Sequence, residues 1–169
     1  MRPGYRIRQF WRALTAPHST GAPPELSPGL QALFIAMPAA DRGHALRTYR
    51  SLVAAGRPPQ DLVAAALLHD VGKSGGQVHL WDRVAFVVAS WLAPAWLARL
   101  GQATQPACWA GLVALQHHAE RGAEQVAGAG GTPRVVALIR YHHADPATLG
   151  WPTSERQLLE ALQRADSAS

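Results

Sequence analysis

Leu67-Leu68-His69-Asp70-Val71-Gly72-Lys73 is the stretch that decides how this chain is read. Pro59 opens a helix that carries Leu62, Ala66, Leu67 and His69, and Gly72 closes it. A histidine, a carboxylate and a lysine therefore stand in the last turn of an apolar helix, where the final carbonyls have no partner within the helix. Polar or metal partners are required there, and these three residue types together build a metal site that meets phosphate. Of the 16 Lys+Arg in the chain, Lys73 is the sole lysine.

Outward from this stretch, further candidate ligands lie along the sequence, with His44 before it and His118, His142, His143 and Asp166 after it. Ala39 to Ala55 has helical spacing, carries His44 in its first half and stops at Gly56, with Pro58 and Pro59 just beyond. Trp109 to Gln116 leads to His117-His118 and a helix to about Ala127, followed by the loop Gly128 to Gly131. Thr132 is an N-cap with Pro133 at the first helical position, starting the helix that ends at His142-His143. Ser154-Glu-Arg-Gln157 has the capping-box form and starts a last helix that carries Asp166.

The 169 residues suit one domain with a real core, and a hydrophobic fraction of 48% dominated by Ala and Leu predicts an all-α bundle. Cys108 is the only cysteine, so no intrachain disulfide forms, and a reducing compartment fits. No signal peptide is recognisable at the N-terminus, which makes the cytoplasm the default location. The formal net charge of +5 is concentrated in Arg2, Arg6, Arg8 and Arg12, and the remainder is close to neutral. Without a basic stripe on the helical body, the charge pattern argues against nucleic-acid binding.

Residues 1 to 15 are expected to form a short amphipathic helix docked on the core, 16 to 28 a Pro-rich linker holding a solvent-exposed His18, and Leu30 to Met37 a short helix stopped by Pro38. From Leu80 to Leu100 the chain is strongly apolar, with no charge between Val84 and Ala98 and with Trp81, Trp91 and Trp96 spaced along it. Pro94 interrupts this run, which is shorter than the roughly 20 residues of a spanning helix. A buried or partner-facing hairpin is expected, suited to a partner or to self-association through Trp81 to Leu100, with shallow membrane-surface contact the lesser alternative.

Five pieces occur together in order: Asp41-Arg-Gly-His44-Ala-Leu-Arg47, Ala66-Leu-Leu-His69-Asp70-Val-Gly-Lys73, His118-Ala-Glu-Arg-Gly122-Ala, Ile139-Arg-Tyr-His142-His143 and Leu162-Gln-Arg-Ala-Asp166. In these the sequence resembles the HD superfamily of metal-dependent phosphohydrolases from about Asp41 onward, and it is most similar to the branch that ends in HD-GYP domains. The resemblance implies a single HD-domain helical bundle over 39–169, preceded over 1–38 by the basic helix and linker. It also chooses His118 over His117 as a ligand, because His118 precedes the Ala-x-x-Gly pattern. His18, His79 and His117 are taken as ordinary core or surface residues.

Imidazoles with carboxylates suit Fe, Mn, Zn or Co. Seven candidates (His44, His69, Asp70, His118, His142, His143 and Asp166) exceed the needs of one ion. Consecutive helical residues point about 100° apart, so His69 and Asp70 cannot easily serve one ion alike. Two ions remove the difficulty: His44, His69 and Asp166 on one, His118, His142 and His143 on the other, with Asp70 bridging. A water between such ions has its pKa lowered from 15.7 to about 7 and becomes a nucleophile toward phosphorus. Asp70 and Lys73 are the expected catalytic residues, Lys73 offering its charge to a non-bridging phosphate oxygen. Arg47 and Arg140 are lesser helpers.

The substrate implied is a phosphomonoester or phosphodiester, a nucleotide foremost. HD-GYP domains carry Asp-Gly-x-Gly-Tyr-Pro after the paired histidines, whereas here His143 is followed by Ala144-Asp145-Pro146-Ala147, and Ala40 replaces the Glu of three-metal members. That departure keeps an alternative open, a non-catalytic HD module that binds metal or nucleotide and signals through its Trp-rich hairpin.

Overall fold

The computed structural model describes residues 23–74, 80–100 and 109–169. The helix expected over 1 to 15 with its four arginines, the linker to residue 22, His18, His79 and Cys108 lie outside the described residues. Within them, nine α-helices and one 3-10 turn make up the regular structure, and no strand occurs. The all-α expectation is therefore met.

The helices are α1 (Pro28–Ala36), α2 (Ala39–Ala55), α3 (Gln60–Leu68), α4 (Leu80–Leu92), α5 (Pro94–Leu100), α6 (Ala110–Gln116), α7 (His118–Gly128), α8 (Pro133–Arg140) and α9 (Thr153–Ala168), with the 3-10 turn at Val71–Lys73. Helix α3 is the axis of the bundle, and every residue from Leu62 to Leu68 in it is buried. The three alanines at 64 to 66 keep its surface low, so that α2, α8, α9 and α1 can pack around it. Phe34 of α1, Ala123 and Val126 of α7, Leu138 and Ile139 of α8, and Leu159 and Leu162 of α9 complete the same core. Leu26, Leu30 and Met37, placed by the sequence ahead of the domain, also belong to it.

Most helix ends follow the sequence. Gly56 adopts φ 155°, which side-chain-bearing residues rarely do, and stops α2. Thr132 caps α8 by accepting a hydrogen bond from the Val135 amide at 3.2 Å, with Pro133 following it. Three ends differ. Helix α3 stops at Leu68 and not at Gly72, because Asp70 takes φ −100° and ψ 4° and starts the 3-10 turn. Helix α8 ends at Arg140, where Tyr141 leaves helical geometry and the Ala144 amide closes a turn on the Tyr141 carbonyl at 2.8 Å. No capping box forms at Ser154: the extended Pro152 precedes the first turn, and Ser154 and Gln157 lie inside α9.

The apolar segment, expected as a buried or partner-facing hairpin, forms two helices broken at Pro94, with α4 against α5 and α6. Phe86 and Ala89 pack on Leu100, Leu112 and Trp109, forming a small second cluster. The opposite face is not buried: Val84, Val88, Trp91, Leu92 and Trp96 are exposed. Among the described residues no helix is long and apolar enough to cross a membrane.

Candidate metal centre

All seven ligand candidates converge at one end of the bundle. His44 comes from the middle of α2, His69 and Asp70 from the end of α3, His118 from the start of α7, His142 and His143 from the turn after α8, and Asp166 from the last part of α9. Two groups have ligand atoms within 4.8 Å of one another, His44 with His69 and Asp70, and His118 with His142 and His143. Asp166 joins the first group, its Oδ1 lying 2.8 Å from His44 Nε2 and 3.5 Å from His69 Nε2.

Asp70 stands between the groups. Its Oδ2 is 3.9 Å from His44 Nε2 and 3.7 Å from His69 Nε2, while its Oδ1 is 3.6 Å from His118 Nε2. One carboxylate thus turns one oxygen to each group. The helix break makes this possible: with α3 ended at Leu68, Asp70 no longer has to project 100° away from His69. In the second group His118 Nε2 is 3.3 Å from His142 Nε2 and 3.1 Å from His143 Nε2. His143 is exposed and the other histidines are buried, so the second group forms the open side of the cluster.

The rings are fixed from behind. Nδ1–H of His69 donates to the Ala66 carbonyl at 3.0 Å, that of His118 to Leu115 at 2.6 Å, and that of His142 to Ile139 at 2.6 Å. A carbonyl only accepts, so the proton sits on Nδ1, and a neutral ring then presents the Nε2 lone pair to the cluster. Each acceptor lies in the last turn of a helix, where carbonyls lack intrahelical donors. His44 is mid-helix, and its Nδ1 instead faces Ser169 Oγ at 3.0 Å.

Electrostatics divide the cluster. Burial, reinforced by the Lys73 charge, pushes His118 down to about 4, and burial with the neighbouring His143 holds His142 well below the usual imidazole range. Both are neutral at pH 7. His69 goes the other way: burial works against its charge, but the Asp70 and Asp166 carboxylates outweigh it and raise it to about 9. Asp70 stays ionised despite burial because Lys73 and the facing histidines hold its carboxyl far below the ordinary value. Lys73 Nζ lies 2.7 Å from Asp70 Oδ2, so the lone lysine is at the cluster and not merely at a helix end.

Of the histidines set aside in the sequence, His117 is among the described residues and takes no part in either ligand group. His117 is on the surface, 3.5 Å from Glu120, and Arg140 is exposed. Three contributors went unnoticed: Thr48, Gln163 and Ser169, which touch ligand residues from behind. Gln163 and Ser169 lie three residues either side of Asp166, a helical spacing that was their only signal.

Five imidazoles that turn Nε2 toward the cluster and two ionised carboxylates form a donor set that fits divalent transition ions. An all-helical domain that gathers such a set from five helices and the turns that follow them has the side chains that could hold metal. The chain belongs to the HD domain family, whose model matches residues 41–168. No curated protein and no solved structure matches it. HD domains are in general metal-dependent hydrolases of phosphate esters, and the His and Asp groups of this chain could hold the metal.

Proposed function

We propose that this chain is a divalent-metal-dependent phosphohydrolase with a dinuclear site. His44, His69 and Asp166 would hold one ion, His118, His142 and His143 the other, and Asp70 both. The observation that carries this reading is the division of Asp70, with Oδ2 toward one group and Oδ1 toward the other. Two ions of Fe, Mn, Zn or Co would supply Lewis acidity to a phosphoryl oxygen and a hydroxide nucleophile at neutral pH.

The chain's own part is to hold those donors and balance their charge. The bonds behind the imidazoles hold each ring in the orientation that turns Nε2 to the cluster, which is what preorganised electrostatic stabilisation requires. Lys73, held by Asp70 and with its side chain 20% exposed, is within reach of a phosphate approaching from the His143 side. Its ammonium would meet the charge that builds on non-bridging oxygens.

The substrate is proposed to be a small phosphomonoester or phosphodiester such as a mononucleotide. Support comes from the segment after His143, where the Ala147 amide donates to Asp145 Oδ1 at 2.9 Å and the Thr148 amide to the Asp145 carbonyl at 3.0 Å. This tight Asp-Pro turn replaces the Tyr-Pro segment of HD-GYP domains, and a site without preformed contacts to a large ligand cannot strongly prefer it. The test is kcat/KM for an aryl phosphate, mononucleotides and cyclic-di-GMP with Mn- and Fe-loaded protein. Activity on the simple substrates should equal or exceed that on cyclic-di-GMP, and a clear preference for cyclic-di-GMP would overturn the substrate assignment.

The exposed apolar face of α4 and α5 favours a second reading, a non-catalytic metal-binding module that contacts a partner or a second copy there. Metal-loaded protein that hydrolyses none of these substrates would move the assignment to it.

A further inference from the structure

We infer that the last turns of α9 and its C-cap assemble the metal centre, with Gln163 and Ser169 acting as positioning residues for opposite halves of it while Asp166 between them enters the cluster. This rests on the dinuclear reading above. Gln163 and Asp166 are neighbours three residues apart in α9, and Ser169, three further on, is the C-cap of that helix. Each meets a different part of the site.

Ser169 supplies what the helix cannot. His69, His118 and His142 each find a carbonyl freed by the end of a helix. His44 lies inside α2, where the carbonyl three residues back already accepts from the following turn. The solution is a hydroxyl from a segment 125 residues away, at 3.0 Å from His44 Nδ1. Ser169 Oγ–H donates to the Asp166 carbonyl at 2.8 Å, and Thr48 Oγ1 lies 3.1 Å from Ser169 Oγ and 3.2 Å from the His44 carbonyl. With its one proton committed to a carbonyl, the hydroxyl has two lone pairs, one for Thr48 and one for Nδ1–H of His44. That arrangement keeps the His44 proton on Nδ1 and leaves Nε2 for an ion. Ser169 is itself 5% exposed, so water does not readily replace it.

Gln163 secures the other half. Its Nε2 donates to the His142 carbonyl at 3.1 Å and to the Ala144 carbonyl at 2.7 Å, using both amide protons and bracketing His143. These two bonds add to the Ala144 amide bond on the Tyr141 carbonyl in holding the turn that carries both histidines. Moving this turn would move His142 and His143 together.

Loss of a partner behind a ligand typically costs about 10–100-fold in metal affinity. The experiment is a zinc titration of the full chain and of Ser169→Ala, Ser169→Thr, Gln163→Glu and Gln163→Leu. Chelator competition gives affinities, ring-nitrogen NMR of the histidines shows which half fills, and melting of the metal-free proteins controls for folding. Ser169→Ala should weaken binding at His44 and His69 by about 10–100-fold and spare His118 and His142, with Ser169→Thr restoring it. Both Gln163 variants should do the reverse. Wild-type affinity in Ser169→Ala and Gln163→Leu, or equal loss at both halves in either, would overturn the inference while leaving the dinuclear reading intact. A wild-type chain that takes up no zinc, manganese or iron would overturn both.

Discussion

Gly72 lies so close to the backbone of His118 that a Cβ on it would overlap the His118 carbonyl oxygen and crowd the Gly122 amide. The 3-10 turn after Asp70 and the first turn of α7 can approach only because Gly72 has no side chain, and this approach brings Asp70 Oδ1 to His118. Both atoms met are backbone, which cannot swing aside like a side-chain tip. Gly72→Ala should lower stability by roughly 1–3 kcal/mol, as overpacking does, and reduce metal content by parting Asp70 from the second group. Thermal melting with elemental analysis checks both. Unchanged values would mean that the contact yields without cost.

Lys73 should separate catalysis from metal binding. It pairs with Asp70 Oδ2 at 2.7 Å, so its removal takes a cation away from the ligands and gives the ions no reason to leave. Lys73→Ala is expected to keep its metal and lower turnover by roughly 10²–10³-fold, the usual cost of losing a donor that meets transition-state charge. Unchanged turnover would reduce Lys73 to a charge partner of Asp70.

The metal-free protein should be less stable on both sides of a near-neutral optimum. His118, depressed to about 4, and His142 remain neutral in the fold while the unfolded chain takes up protons near 6.5. Their contribution is thus present above that value and lost as pH falls from 6.5 toward 4. His69, raised to about 9, contributes below 6.5 and loses its contribution as pH rises through 9. At pH 7 metal uptake must therefore expel the His69 proton, and calorimetry in buffers of different ionisation enthalpy should register release of about one proton per chain. Denaturation profiles from pH 4 to 10 in chelator test the stability claim, and a flat profile would contradict it.

The sequence showed the helices and the candidate ligands because both are local. Apolar spacing, Pro59, Gly56 and the Thr132-Pro133 cap each act within a turn or two, and His69-Asp70 and His142-His143 come as adjacent pairs. What stayed hidden depends on distance or on competition between local signals. Thr48 and Ser169 meet across 121 residues of chain, and nothing near either announces the other. The capping-box pattern at Ser154 gave way to Pro152, whose extended geometry starts the helix earlier. The apolar run from Leu80 to Leu100 was plain in the sequence, but composition does not say which of its side chains are covered, and Val84, Val88 and Trp91 are exposed.

Asp70 is central to the proposed dinuclear site, since its one carboxylate faces both ligand groups. The most direct test is elemental analysis of anaerobically purified wild-type protein beside Asp70→Ala. About two transition-metal ions per wild-type chain are expected, with reduced occupancy of both in Asp70→Ala. A single ion in the wild type, or loss of only one ion in the variant, would contradict the dinuclear reading.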